Sequence, residues 1–383
     1  MNVESIIIYT SLIGILMFLS KRASIVSGNI RNIRNVYNER FLSFPLFLLI
    51  AVFTVFCAIR YNVGTDYPRY LSAFQTGRIT TERFEPLFRI ISSFLYDIKA
   101  DVSLFFGLWA FLQIVFFLYA FKSQKELYPY LIFCLFTNNL FFSWMNTIRQ
   151  DLSTCILLPC MFFILEKKPV YYFLSCVVAA SIHVSALLLL LLYPLLYQRK
   201  WFEKNLLPII IVIIAVVANF VLSDNIRGLD SIVASYSSLL GWNEVDYYSI
   251  MEGMQKREGM GIGMVARLVF FISIILSSRK IKDYFKSQFF DQIVYPLFVA
   301  GVFFKYLIPV GAIILSRPFR FFTFFTTIAL AYYIYFLFHS KFLYEKVYGT
   351  LIMAIQLVFF LVPLYYANPN DSYTLYQTIF KNL

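Results

Sequence analysis

Runs of roughly 17–25 apolar residues, long enough to span a hydrocarbon core, recur between short polar turns along the whole 383-residue chain. Backbone amides in lipid must find their partners within the same segment, so these runs predict helices. They lie near 3–20, 43–59, 103–121, 127–145, 149–165, 170–182, 183–197, 205–222, 262–278, 292–315, 319–338 and 347–366. The stretch from Val170 to Tyr197 reads either as one over-long tilted helix or as two short ones. The basic turn that follows, Gln198 to Lys204, selects a hairpin whose tip falls near Ser181-Ile182-His183. The expected fold is an all-α polytopic membrane protein of about 11–12 transmembrane helices. It forms a single integral domain with external loops near 60–102 and 223–261.

One further helix is expected in the first of those loops. Pro86 suits a first helical position with Glu85 as its cap. Apolar residues at 84, 87, 88, 91, 94 and 95 make one face, which predicts a helix lying in the outer interface. The second loop carries Trp242, Asn243, Glu244, Asp246, Tyr247 and Tyr248. It reads either as a sugar-binding surface or as an ordinary solvated loop with interfacial aromatics.

Charge orients the bundle. The turns 21–42, 122–126, 166–169, 198–204, 279–291 and 339–346 hold 18 Lys and Arg against seven acids, which marks them as cytoplasmic and puts both termini outside. The net charge of +12 is thus largely topological, and no nucleic-acid partner is expected. The run from Val3 to Ser20 has no basic segment before it and Lys21-Arg22 after it, so it reads as a retained first helix. A mean hydropathy of +0.72 leaves too little polar surface for a soluble domain of this length. Cys57, Cys134, Cys155, Cys160 and Cys176 all lie in apolar runs without a CxxC, and His183 and His339 stand far apart. Neither a disulfide framework, a metal site nor a cofactor is expected.

Some charges break the pattern. Arg60, Arg149, Arg267, Arg317 and Arg320 sit at the outer ends of predicted helices. An arginine at membrane depth costs about 2.5–3.5 kcal/mol on insertion scales, so it generally faces a protein cavity. Any one of them could be a snorkelling side chain. Together they predict a cationic pocket for an anion such as a lipid-linked phosphate or diphosphate, which guanidinium forks match bidentately. Arg317 and Arg320 are three apart and flank Pro318, so they could clamp one diphosphate at a helix start. The acids available at this depth are Asp66, Glu85 and Asp151. In the turn from Arg60 to Tyr70, Asp66 could bind sugar hydroxyls, accept a proton or pair with Arg60. Asn146-Thr147-Ile148-Arg149-Gln150 could be a second polar site or simply a cap. His183 could carry a proton or serve as a hydrogen-bonded structural group. No role is assigned to His339.

The motifs also resemble a known family. Arg60 with Val63-Gly64-Thr65-Asp66-Tyr67 and Tyr70, then Phe84-Glu85-Pro86, resembles the N-terminal signature of the EpsG-like family of Wzy-type polysaccharide polymerases. Asn146 with Ile148-Arg149-Gln150, and Ser181-Ile182-His183-Val184-Ser185-Ala186, resemble its next two signatures in order and spacing. The likeness covers roughly residues 50–340 and departs at Asp151, Ser153 and Thr154, which are more polar than expected. The resemblance implies a GT-C-like glycosyltransferase bundle in a bacterial inner membrane. It implies polymerisation of O-antigen, capsule or exopolysaccharide repeats at the external face: glycan on undecaprenyl diphosphate passes to the non-reducing end of a fresh lipid-linked oligosaccharide. Metal and nucleotide sugar are not required, and a chain-length-determining co-polymerase is a candidate partner. The roles implied are diphosphate binding by Arg60, Arg149, Arg267, Arg317 and Arg320, and catalysis by His183, Asp66, Glu85 and Arg149. Thr65, Tyr67, Tyr70 and Gln150 would contact substrate. The rival readings are a lipid-linked oligosaccharide flippase and an O-antigen ligase-type transferase.

Overall fold

The computed structural model describes residues 3–26, 41–81, 84–197, 201–203, 205–224, 261–308, 316–367 and 375–382. The chain is an all-α polytopic membrane protein. Its helices are α1 (Val3–Val26), α2 (Phe44–Ala58), α3 (Tyr67–Gln75), α4 (Pro86–Asp97), α5 (Val102–Tyr119), α6 (Tyr128–Thr137), α7 (Leu140–Asn146) and α8 (Ile148–Cys160). They continue with α9 (Phe162–Leu165), α10 (Pro169–Ala180), α11 (Leu192–Leu196), α12 (Leu206–Asp224), α13 (Ile262–Phe285), α14 (Tyr295–Leu307), α15 (Arg320–Phe338) and α16 (Leu343–Tyr366). Among the described residues seven helices are long and apolar enough to cross a membrane, and four shorter apolar ones stand at 44–58, 169–180, 184–196 and 206–221. The predicted segments recur in order. The run 127–145 is broken into α6 and α7 at Asn139, whose φ of 62° places it in the left-handed region that asparagine tolerates.

The described residues form two compact units, Met1–Gln198 with Ile334–Leu383, and Arg199–Tyr333. In the first, α5 packs against α2 and α8, and α1 against α2 and α6. Between α7 and α8 the backbone of Thr147 leaves the helical region, with φ −95° and ψ 56°. Gln113, buried on α5, donates to carbonyls on both sides of the break, Trp144 O of α7 and Ile148 O of α8, at 3.3 Å each. Asp151 accepts from the hydroxyls of Ser143 and Thr147, both at 2.6 Å, which ties the two helices across the same break. The polar departures after Arg149 are thus hydrogen-bonded inside the unit: Ser153 and Thr154 both return their hydroxyls to Gln150 O.

Helix α4 begins at Pro86 as expected, but the Glu85 side chain makes no capping bond to it. Its inward stripe is Phe88, Ser92 and Leu95, a spacing of four and seven that fits one helix face. Phe94 falls off that stripe. It is 61% exposed, on the opposite side with Ile90 at 62%. The predicted single apolar face is therefore two: one buried against Phe105 and Trp109, and one left outward.

The far end of the chain returns to its beginning. Tyr376 stacks on Phe56 at 4.2 Å, donates its hydroxyl to Phe56 O at 2.7 Å and takes Ser5 Oγ with its amide at 3.0 Å. Tyr61 N donates to Gln377 O and Ile379 N to Ile59 O, so Thr378 pairs as an isolated bridge with Arg60.

In the second unit α14 packs on α12 and follows a π-turn at Phe290–Val294. Gly301 of α14 lies so close to α15 that a Cβ there would stand 2.2 Å from Phe322 O. Small residues permit such approaches where helices meet in lipid. Away from it, Lys282 and Asp291 form an ion pair at 2.6 Å.

Candidate functional site

The first motif is a turn because the chain demands left-handed backbone there. Asn62 has φ 51° and Gly64 φ 105°, before Pro68 opens α3. Gly64 also presses on the next motif, since a Cβ would meet Met145 O at 3.0 Å. Asn146 completes the junction. Its side-chain oxygen accepts from Thr65 Oγ1 at 2.9 Å and from Asp66 N at 2.8 Å. Segments 81 residues apart are thereby held as one surface.

Arg149 opens α8 directly beyond that junction. Its guanidinium pairs with Glu85 and donates from Nε to the Tyr70 hydroxyl at 3.2 Å. Phe84 and Phe88 lie under it, with ring centres 4.9 and 5.6 Å away. The second carboxylate oxygen of Glu85 accepts from Val184 N at 3.3 Å, while Leu87 N donates to Ser181 O at 2.8 Å. The third motif is joined to the others through Glu85 and the start of its helix, and through Ile182, which is buried in one apolar cluster with Tyr70, Phe84 and Ile148. Two residues with separately expected roles thus form a single ion pair at the meeting point of three signatures.

His183 precedes a 3-10 turn at Val184–Leu191, and its Nδ1 accepts from Ser185 N at 3.3 Å. The same nitrogen lies 2.7 Å from Ser185 Oγ, so the ring is held to the start of that turn through Ser185. Asp66 stands at the N-terminus of α3 without a side-chain cap bond. Among the described residues its carboxylate makes no ion pair, with Arg60 or otherwise, and it remains partly exposed.

Arg60 is the exceptional charge. It is 3% exposed, and its Nε has no hydrogen-bond partner among the described residues. The guanidinium lies 5.0 Å from the Phe106 ring centre and 5.8 Å from that of Tyr67, two rings stacked on each other at 4.5 Å. Burial lowers the arginine's pKa from its ordinary value. The ionisable groups that oppose this are the Cys57 thiol and the phenols of Tyr67, Tyr376 and Tyr9, none of them a carboxylate. Burial likewise pushes Tyr67 up to about 12, so it remains a phenol, and it donates to Arg60 O at 3.2 Å. Among the described residues this buried cation rests on ring faces and meets no carboxylate, and such a charge is electrostatically short of an anion.

Tyr67 and Tyr70 are buried, and their hydroxyls serve Arg60 and Arg149; Thr65 is exposed and Gln150 buried. Arg267, Arg317 and Arg320 belong to the second unit. Arg317 starts a 3-10 turn that runs directly into α15 at Arg320, so a helix does begin there. The residues from Trp242 to Tyr248 lie outside those described. Three contributions to these sites were not anticipated: the strap at 375–379 behind Arg60, the Phe106 ring beside it, and Lys305 near Arg267. The lysine alone had a visible signal, as a single charge within the apolar run 292–315.

A family model described as the EpsG family matches residues 43–378, a span that takes in all three motifs and the strap as far as Thr378. Among curated proteins and among solved structures nothing matches.

Proposed function

We propose, for a chain that belongs to the EpsG family of Wzy-like polymerases, that it extends a polysaccharide from lipid-linked repeat units at the external face of the inner membrane. The substrate is a glycan on undecaprenyl diphosphate, transferred to the non-reducing end of another lipid-linked oligosaccharide. The observation that carries this reading is Arg60, a buried guanidinium with no carboxylate partner among the described residues, next to the junction of the three motifs.

The reaction breaks the bond between the donor's anomeric carbon and its diphosphate oxygen. It forms one between that carbon and the acceptor hydroxyl oxygen. The electron pair leaves with the diphosphate, and the hydroxyl proton goes to a base. Arg60 stabilises the charge growing on the leaving group, in a site too buried for water to screen it. Arg149 is already neutralised by Glu85, so it holds the acceptor side in shape and makes a poorer phosphate anchor. Glu85 has both oxygens engaged, one by Arg149 and one by Val184 N, and so is not the group that meets the acceptor hydroxyl. His183, its Nδ1 held by Ser185, places an imidazole beside Glu85's partner Val184 and serves as a contact to the sugar. Asp66, uncommitted among the described residues, is the base of choice.

The test is replacement in a polymerase-null host with the surface glycan resolved on a gel. Arg60→Ala should leave the single-repeat product and no ladder at unchanged protein level, and Arg60→Lys should recover short chains. Asp66→Asn should behave as Arg60→Ala does. A full ladder from Arg60→Ala removes the reading.

A further inference from the structure

Helix α2 ends at Ala58 with Ile59 as its C-cap, so Arg60 stands directly past a helix C-terminus. Such an end presents free carbonyl oxygens and partial negative charge, the wrong sign for an anion site. The strap at 375–379 takes up part of that charge. Phe56 O is the acceptor that the Arg60 amide would reach were the helix to continue. It receives the Tyr376 hydroxyl at 2.7 Å. Ile59 O receives the Ile379 amide at 3.0 Å, and Arg60 O receives the Tyr67 hydroxyl at 3.2 Å.

The same backbone bonds fix which strap side chain lies beside the arginine. Tyr61 N to Gln377 O and Ile379 N to Ile59 O bracket Arg60 and Thr378. The two are therefore directly opposed in an antiparallel pair of the closer, non-hydrogen-bonded kind. Opposed residues project to one side, with Cβ atoms about 4.5–5.5 Å apart. Strand alternation puts Tyr376 on that side too, and Tyr376 interacts electrostatically with Arg60. Thr378 is half-buried, and among the described residues its hydroxyl makes no hydrogen bond.

We propose that Thr378 is a further binding residue of the anion site at Arg60, its hydroxyl donating to a phosphoryl oxygen of the diphosphate that the guanidinium holds. This deepens the polymerase reading and rests on its assignment of Arg60. A guanidinium only donates, and Arg60 Nε has no partner among the described residues. A second donor with nothing to bond lies opposite it. Two such donors side by side fit one acceptor, and a diphosphate offers a phosphoryl group to each. The hydroxyl adds a short, charge-assisted hydrogen bond without adding a second buried charge beside the first.

The test uses the full chain in nanodiscs of neutral lipid, with two probes, undecaprenyl diphosphate and inorganic pyrophosphate. Thr378→Val keeps the shape and removes the hydroxyl. It should bind about tenfold more weakly than the parent protein, the loss of one hydrogen bond to a charged group. Thr378→Ser restores the hydroxyl and should stay within about threefold of the parent. Without ligand, Thr378→Val should melt with the parent, because the hydroxyl has no partner to lose. Weakened binding of both probes identifies the phosphoryl group itself as what the hydroxyl meets; weakened binding of the lipid alone identifies a diphosphate presented on a lipid. Parent-like affinity of Thr378→Val beside lost binding in Arg60→Ala overturns the role of Thr378 and keeps that of Arg60. Parent-like affinity in both variants overturns both roles. The proposal also falls if the parent binds neither probe, if Thr378→Ser is as weak as Thr378→Val, or if unliganded Thr378→Val melts lower, which would make the hydroxyl structural. The polymerase reading is judged apart from these, by the glycan ladder of Arg60→Ala.

Discussion

Breaking the Glu85–Arg149 pair separates shape from chemistry. Both side chains are largely sheltered, 16% and 18% exposed. Removing one member of a fully buried pair costs about 3–5 kcal/mol, whereas an exposed pair contributes at most about 1 kcal/mol. At this depth each single replacement should cost about 2–3 kcal/mol. Glu85→Gln is the mildest probe, since it keeps a carbonyl for Val184 N while stranding the arginine's charge beside Tyr70. Arg149→Met keeps the length and strands the carboxylate instead. The double variant strands neither, so its loss should fall short of the summed losses by about 1–3 kcal/mol, the coupling expected of touching partners. Urea or thermal unfolding in detergent yields the four stabilities, and the glycan ladder yields function. The double variant should regain much of its stability and still make no long chains. A coupling energy below about 0.5 kcal/mol would refute the argument, because sites that do not interact add within that margin.

Two glycine replacements probe the supports of each unit. Gly64→Ala forces a side chain onto a φ of 105° and against Met145 O at 3.0 Å. It should destabilise by about 1–3 kcal/mol and shorten the ladder by loosening Thr65 and Asp66 from Asn146; unchanged melting would show that the turn adapts. Gly301→Ala places a methyl 2.2 Å from Phe322 O, so α14 and α15 must separate. Size-exclusion profiles should show aggregated or missing protein, and a normal monodisperse peak would mean that the close approach is dispensable.

Much of this architecture was legible from hydropathy because lipid leaves the backbone few options. A run such as 103–121 can only be a helix, and α5 occupies 102–119. The broken run 127–145 was not legible. Its interruption depends on Asn139 adopting a left-handed turn, which a residue-averaged hydropathy does not register. The motif positions were found, and two joints between them were not. Asn146 to Thr65 and Glu85 to Val184 span 81 and 99 residues, and local patterns carry no term for such pairs. Phe94 was misassigned for a similar reason. Two faces of α4 are apolar, and only the tertiary partners Phe105 and Trp109 decide which is buried.

The strap has a consequence for how the protein is made. Arg60 emerges from the second helix, yet its backbone is fastened by Gln377, Thr378 and Ile379. Membrane helices are inserted one after another during translation, so the loop bearing this arginine waits, unfastened, until nearly every later segment has been laid down. A nascent chain stalled before residue 375 would hold every helix from α1 to α16 and still lack the strap behind Arg60. The backbone on either side of Arg60 is therefore fastened only after residue 379 has been made.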